Sequence, residues 1–218
     1  MIDLYEAMST LRAVRRLRPD PVPDDVLERV LQAACWAPTG GNQQPWSVVV
    51  VRDAAKRSTL ADLYAPRWAE YTVRFRARIE GLAGEAKAKA ERTLAAGDYL
   101  ADHMGEAPVH LVFCADPSRM AITDAGLDRV SMVGGGSVYP PIQNAMLACR
   151  AEGLGCVLTT LLCFEEDAVK DLLEIPDGWA TVGVIPIGYP VLRGHGPITR
   201  AGPDVIAHAD TFGAGWPA

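Results

Sequence analysis

Four short runs rich in β-branched and other apolar residues, at 47–51, 109–115, 156–159 and 180–187, read as strands, the first of them buried, set among helical stretches of very unequal length. A doubly wound parallel sheet needs helices that alternate strictly with strands, so the uneven spacing predicts an α+β layer architecture instead. Helices are expected over 4–11, from near Pro23 to before Pro38, over 137–152 and over 165–173. In the second of these, Asp24 and Asp25 suit the positive end of the helix dipole, and Val26, Leu27, Val30, Leu31 and Ala34 recur on one face. Residues 54–102 are helical in pattern and rich in Ala, Arg and Glu, interrupted by Pro66, Gly81, Gly84 and Gly97, and read as a mobile or excursion segment. Residues 1–218 are expected to form one domain, because no linker is long enough to divide the chain and no internal repeat occurs.

The formal net charge of −6 argues against a nucleic-acid binder, which needs a clustered basic surface to neutralise phosphates. No apolar run approaches the roughly 20 residues that span a membrane, and the start Met1-Ile2-Asp3-Leu4-Tyr5-Glu6 lacks the basic and apolar regions of a signal peptide. A cytoplasmic location is therefore expected. Five cysteines without a C-x-x-C spacing read as reduced packing residues. The histidines His103, His110, His195 and His208 lack the helical pairing of a zinc site, so no metal site is expected and they read as surface residues.

Two segments carry chemistry. Arg12-Ala13-Val14-Arg15-Arg16 places three guanidinium groups where a helix gives way to a turn, and arginine's planar fork binds phosphate through two parallel hydrogen bonds. A solvated basic turn is the other reading of these residues, above all for Arg16 and Arg18. In Pro38-Thr39-Gly40-Gly41-Asn42 the glycines permit close backbone approach to a flat ligand, while Thr39 and Asn42 supply hydrogen-bonding groups. A plain Asn-mediated turn remains open there. Gly134-Gly135-Gly136 lacks the third glycine of a dinucleotide fingerprint, since Tyr139 stands in its place, and no G-x-S-x-G, H-E-x-x-H or P-loop pattern occurs.

Taken in order, Arg12-Ala13-Val14-Arg15-Arg16-Leu17, Pro21-Val22-Pro23 and Ala37-Pro38-Thr39-Gly40-Gly41-Asn42-Gln43-Gln44-Pro45-Trp46 resemble the N-terminal signature of FMN-dependent nitroreductases. Gln143-Asn144-Ala145-Met146-Leu147-Ala148, Gly153-Leu154-Gly155, Ile187-Gly188-Tyr189-Pro190 and the ending from His208 to Gly213 extend the resemblance to nearly the whole chain except 54–102. It implies a three-layer α+β fold with a central, mainly antiparallel sheet flanked by helices, in an intertwined homodimer with each FMN at the interface. By the same resemblance Arg12 meets the phosphate, Ala13 contributes main chain beside it, and Arg15 approaches the phosphate or the pyrimidine edge. Pro38, Thr39, Gly40 and Asn42 come from the partner subunit, and Arg200 is a C-terminal phosphate ligand. Leu158, Thr159 and Thr160 run beside the ring nitrogen that accepts hydride; the Thr-Thr form also looks like the iodotyrosine deiodinase branch. Leu11 and Ala13 stand where an arginine and a serine are common, which leaves fewer side-chain donors for the phosphate.

The activity implied is transfer of electrons from NADH or NADPH through FMN to a small organic acceptor such as a nitroaromatic or a quinone. No side chain is assigned as catalytic, because the flavin carries the redox chemistry and the protein supplies orientation and electrostatics. Two alternatives accompany it. One is a specialised flavin reaction such as reductive dehalogenation, with a lid around Arg67-Trp68-Ala69-Glu70-Tyr71 that grips an amino-acid zwitterion. The other is a protein that stores flavin without turnover.

Overall fold

The computed structural model describes residues 2–216. Its helices are α1 (Leu4–Thr10), α2 (Asp24–Cys35), α3 (Ala54–Glu80), α4 (Gly84–His103), α5 (Tyr139–Ala151), α6 (Glu166–Leu173) and α7 (Pro203–Ile206). The strands β1 (Trp46–Val51), β2 (Val109–Ala115), β3 (Gly155–Cys156) and β4 (Ala180–Gly188) form one sheet in the order β1-β2-β4-β3, and every pairing is antiparallel. This is the three-layer α+β arrangement expected.

Side chains of a strand alternate between the two faces of its sheet, and β2, buried along its whole length, separates two cores in this way. Val109, Leu111, Phe113 and Ala115 meet Leu27, Val30 and Ala34 of α2 and Ile142, Ala145 and Cys149 of α5. Val112 and Cys114 face the other way, onto Leu60 and Tyr64 of α3, Leu100 of α4, and Val169 and Leu173 of α6. Helices thus cover both faces.

Three local expectations need correction. The 47–51 run does not form a buried strand: β1 is an edge strand, and only Val51 of it is fully buried. The 156–159 run pairs as a strand only at Gly155–Cys156; Thr159 returns as a single bridge to Val184. Pro66 and Gly97 do not interrupt the helical excursion, since α3 continues for 27 residues through Pro66 and α4 for 20 residues through Gly97, the chain reversing at Gly81. Pro66 is exposed, so its ring meets solvent and the helix forgoes one hydrogen bond while keeping its packing against α4.

The chain exposes 12703 Å2, whereas a monomer of 23.4 kDa is expected to expose about 9,700 Å2. Large apolar side chains make up part of the excess: Tyr5 is 82% exposed, Trp36 74% and Phe212 96%. No described helix is long and apolar enough to cross a membrane.

Candidate functional site

The arginine segment begins where α1 ends. From Arg12 to Arg18 the backbone runs between β3 and the segment 189–198, which hold it from both sides. Val14 N–H donates to Cys156 O at 2.9 Å, Arg18 N–H to Tyr189 O at 2.7 Å, and Val191 N–H to Arg16 O at 3.0 Å. Further along, Gly196 N–H donates to Thr10 O and Ile198 N–H to Ser9 O. The segment lies so close to β3 that a Cβ on Gly155 would come within 2.6 Å of Val14 Cγ1 and 2.8 Å of Leu17 Cδ2. Gly155 is therefore a requirement of space.

Arg12 is exposed but held: its Nε donates to Pro197 O at 3.1 Å, and its backbone N–H to His195 Nδ1 at 3.4 Å. Ala13 is exposed beside it. Arg200 is exposed a few residues beyond Pro197, its guanidinium folded back on Thr199 O at 2.8 Å. Arg16 does not remain purely solvated, because its guanidinium lies 4.1 Å from the centre of the Tyr99 ring, in cation–π contact.

Arg15 turns inward, into a pocket of about 230 Å3 that it shares with Tyr64, Trp68, Leu158, Thr159 and Thr160. Burial lowers the pKa of its guanidinium. Burial raises that of the Tyr64 phenol, opposed by a hydrogen bond with Thr159 and by the charge of Arg15. Thr159 is further tied by its backbone, which exchanges two hydrogen bonds with Val184 at 2.8 and 3.0 Å. Gly183 makes this close approach possible, since a Cβ there would lie 2.8 Å from Leu158 Cδ1 and 3.1 Å from Thr159 O. Thr160 is exposed and faces the opening. The pocket's outer wall comes from α3, where Trp68 lies stacked beside Tyr64 and donates from Nε1 to Asp98 Oδ1 at 2.7 Å.

Among the described residues no carboxylate lies within ion-pairing distance of Arg12, Arg15 or Arg200, although the chain as a whole is acidic. Seven other arginines do have such a partner, Arg67 with Glu165 and Glu70 and Arg29 with Asp25 and Glu152 among them, while Arg16, Arg57, Arg74, Arg78, Arg92, Arg119 and Arg193 do not. The unmatched set, backed by threonine hydroxyls and aromatic rings, suits a flat ligand that carries an anionic group.

The loop Pro38–Asn42 is not brought to that pocket. Gly40–Asn42 forms a single 3-10 turn with Gly41 at φ 56° and Asn42 at φ 52°. Gly40 N–H donates to Ser137 Oγ at 3.1 Å and Gln44 N–H to Thr39 Oγ1 at 3.0 Å, which leaves the exposed turn rigidly braced. Asn42 lines a separate cleft with Cys35, Gln43, Trp46 and Arg119. The residues singled out in sequence therefore fall into two groups on one chain.

Several features of the structure are not foreseen from the sequence. A cavity of about 1050 Å3, lined mainly by apolar residues, opens beside Thr160, Cys163, Phe164, Tyr139 and the Gly134–Gly136 run. The loop bordering it is anchored by Asp124, whose carboxylate accepts from Ser131 Oγ, Met132 N–H and Arg129; these bonds hold its pKa down to about 2. His195 and His110 are buried, not on the surface, and Trp68 and Tyr71, expected in a lid, line the pocket together with Tyr64, which nothing in the sequence singles out. Among the described residues no His, Cys, Asp and Glu cluster could hold a metal ion, and all five cysteines are free thiols.

The model of the nitroreductase family matches residues 10–189. The chain belongs to that family. It is 33% identical to a 5,6-dimethylbenzimidazole synthase of Rhodospirillum rubrum, over 82% of this chain and 78% of the relative. It is 28% identical to an NADH dehydrogenase of Thermus thermophilus, over 89% and 90% respectively. Among solved structures, iodotyrosine deiodinase bound to FMN and 3-iodo-L-tyrosine shares the fold with a TM-score of 0.72 at 22% identity, over 96% of this chain and 100% of that one.

Proposed function

We propose that this nitroreductase-family chain is an FMN-dependent oxidoreductase that carries electrons from NADH or NADPH to a small organic acceptor such as a nitroaromatic or a quinone. The carrying observation is Arg15, which has no carboxylate partner and lines one pocket with Leu158, Thr159 and Thr160, on the same short segment as Arg12. Arg12 and Arg200 would hold the phosphate and Ala13 would lend its main chain, while Arg15 stands at the polar edge of the ring. Bound FMN would supply the two-electron carrier between donor and acceptor. With the Thr159 N–H paired to Val184 and its hydroxyl engaged by Tyr64, Thr160 is the residue left to donate to a ring lying against this segment. Preorganised donors of this kind stabilise charge that develops on reduction without the reorganisation water would require.

The two separated groups of site residues support a homodimer in which Pro38, Thr39, Gly40 and Asn42 of one protomer complete the pocket of the other. The surface exposed beyond the monomer expectation, about 3,000 Å2, is more than the roughly 1,000–2,500 Å2 that an obligate interface removes from each chain, and so leaves room for one. A zwitterion-gripping lid has less support: Arg67, the cation expected to grip it, is already paired with Glu165 and Glu70.

Anaerobic mixing of the flavin-loaded protein with NADH or NADPH, followed at the visible flavin band, tests the reading. Rapid bleaching that is reversed by a nitroaromatic or quinone is expected. Stoichiometric flavin binding without bleaching by either donor would instead point to storage. Failure to bind flavin would remove the proposal.

A further inference from the structure

Residue 195 lies 183 positions from Arg12 in sequence, yet its ring is wedged beneath the arginine segment. His195 is buried, with Nε2 2.8 Å from Leu154 O and Nδ1 3.4 Å from Arg12 N. A carbonyl oxygen only accepts, so Nε2 carries the proton and Nδ1 presents a lone pair to the Arg12 N–H. The ring thereby joins the turn after α5 to the backbone of Arg12. Two residues further on, Pro197 O accepts from Arg12 Nε. One short stretch of tail thus holds Arg12 at its backbone and at the inner nitrogen of its guanidinium, leaving the two outer nitrogens to face a ligand. The tail is itself fixed by the Gly196 and Ile198 bonds to α1 and by Gly194, which is left-handed at φ 66° and would set a Cβ 2.7 Å from Pro190.

We propose that His195 is a positioning residue that sets the backbone and guanidinium of Arg12 for the phosphate of the flavin. The proposal rests on the reading of Arg12 as a phosphate ligand. His195 touches neither ring nor phosphate and acts through Arg12. Burial, and the neighbouring positive charge of Arg150, favour its neutral form, the only one with an acceptor for Arg12.

Asparagine and glutamine divide the two roles of the ring. In His195→Asn the amide oxygen falls near the place of Nδ1 and keeps the acceptor for Arg12; in His195→Gln the amide nitrogen falls near Nε2 and keeps only the bond to Leu154. Dissociation constants of FMN and of riboflavin, which lacks the phosphate, are measured by flavin fluorescence on flavin-stripped protein. His195→Gln is expected to lower the preference for FMN over riboflavin about fivefold, the equivalent of the roughly 1 kcal/mol of one neutral hydrogen bond. His195→Asn is expected to preserve it, and Arg12→Ala to lower it at least as much as His195→Gln. If Arg12→Ala leaves the preference unchanged, the phosphate reading of Arg12 fails. If Arg12→Ala lowers it and His195→Gln does not, or if both His195 variants weaken FMN and riboflavin alike, the positioning role fails. A long-range nitrogen-15 correlation spectrum of the unsubstituted protein needs no variant: it is expected to show the Nε2–H tautomer of His195, and the Nδ1–H tautomer would overturn the proposal.

Discussion

Gly155→Ala is the perturbation that most directly couples packing to the site. Gly155 has no left-handed backbone to protect, so alanine brings only a methyl group; that methyl lands 2.6 Å from Val14 Cγ1, 2.8 Å from Leu17 Cδ2 and 3.0 Å from Val14 Cβ. Ordinary carbon contacts need roughly 3.5–4.0 Å, so β3 and the arginine segment must part by about 1 Å. Val14 and Leu17 are both buried against Ala107 and have little room to yield. Overpacking of this kind costs about 1–3 kcal/mol, which at about 2–4 °C per kcal/mol for a chain of this size lowers Tm by roughly 4–8 °C at the middle of that range. Calorimetry at one fixed protomer concentration measures it, since assembly would shift Tm with concentration. Parting also stretches the Val14 N–H to Cys156 O bond, so FMN affinity is expected to fall with Tm. Val14→Ala in the same chain removes the closest obstacle, and the double variant is expected to be more stable than the sum of the two single losses by at least about 0.5 kcal/mol. An unchanged Tm in Gly155→Ala, or strict additivity in the double variant, would refute the close-approach argument.

His110 is buried, donates from Nε2 to Met104 O, and has its pKa lowered to about 4, chiefly by burial and also by the charge of Arg57. The unfolded chain takes up this proton first as pH falls below about 6.5, so stability is expected to drop by up to about 3 kcal/mol between pH 6.5 and 4 and to level off below. Urea titrations across that range, compared with a His110→Phe variant that lacks the proton site, check the sign. Gly97→Ala is expected to lower Tm, although the same change in an open helix raises stability by about 1 kcal/mol, because its Cβ would lie 2.1 Å from Trp68 Cζ2 and evict the indole from its bond to Asp98. A rise in Tm would contradict that packing. Sedimentation velocity is expected to show a dimer at micromolar concentration; a monomer that still binds one FMN per chain would overturn the shared site.

The elements legible in sequence are those whose signal is local. Val109 to Ala115 declares itself as a short apolar run, and α2 by one apolar face, because a buried strand and a half-buried helix write their burial into residue type. Pro66 misleads for the same reason: a local breaker is overridden by packing along a long helix. Residues 156–159 look like one strand, yet Val157 packs into the core beneath α3 while Leu158 sits over Gly183. At the site, arginines and glycines are conspicuous as residue types, so Arg12, Arg15 and Gly40 could be named in advance. Tyr64 could not, Trp68 stands out only as part of a lid and His195 only as a surface residue, since each matters through a partner distant in sequence: Thr159, Asp98 and Arg12 respectively.

The lacing of residues 12–18 by residues 189–198 also sets a schedule. During synthesis at about 5–20 residues per second, Arg12 precedes His195 by about 10–40 s, and until the later segment arrives the arginine strip has β3, Ala107 and Tyr99 to lie against but lacks the bonds that hold Arg12 itself. Contacts between such distant stretches close late, because the entropy of looping the intervening chain is lost before they reward it. The sheet and its two cores can form around an unfinished anion site. A nascent chain would thus acquire its capacity for cofactor as one of its last acts of folding, after the scaffold that must position the ring is already in place.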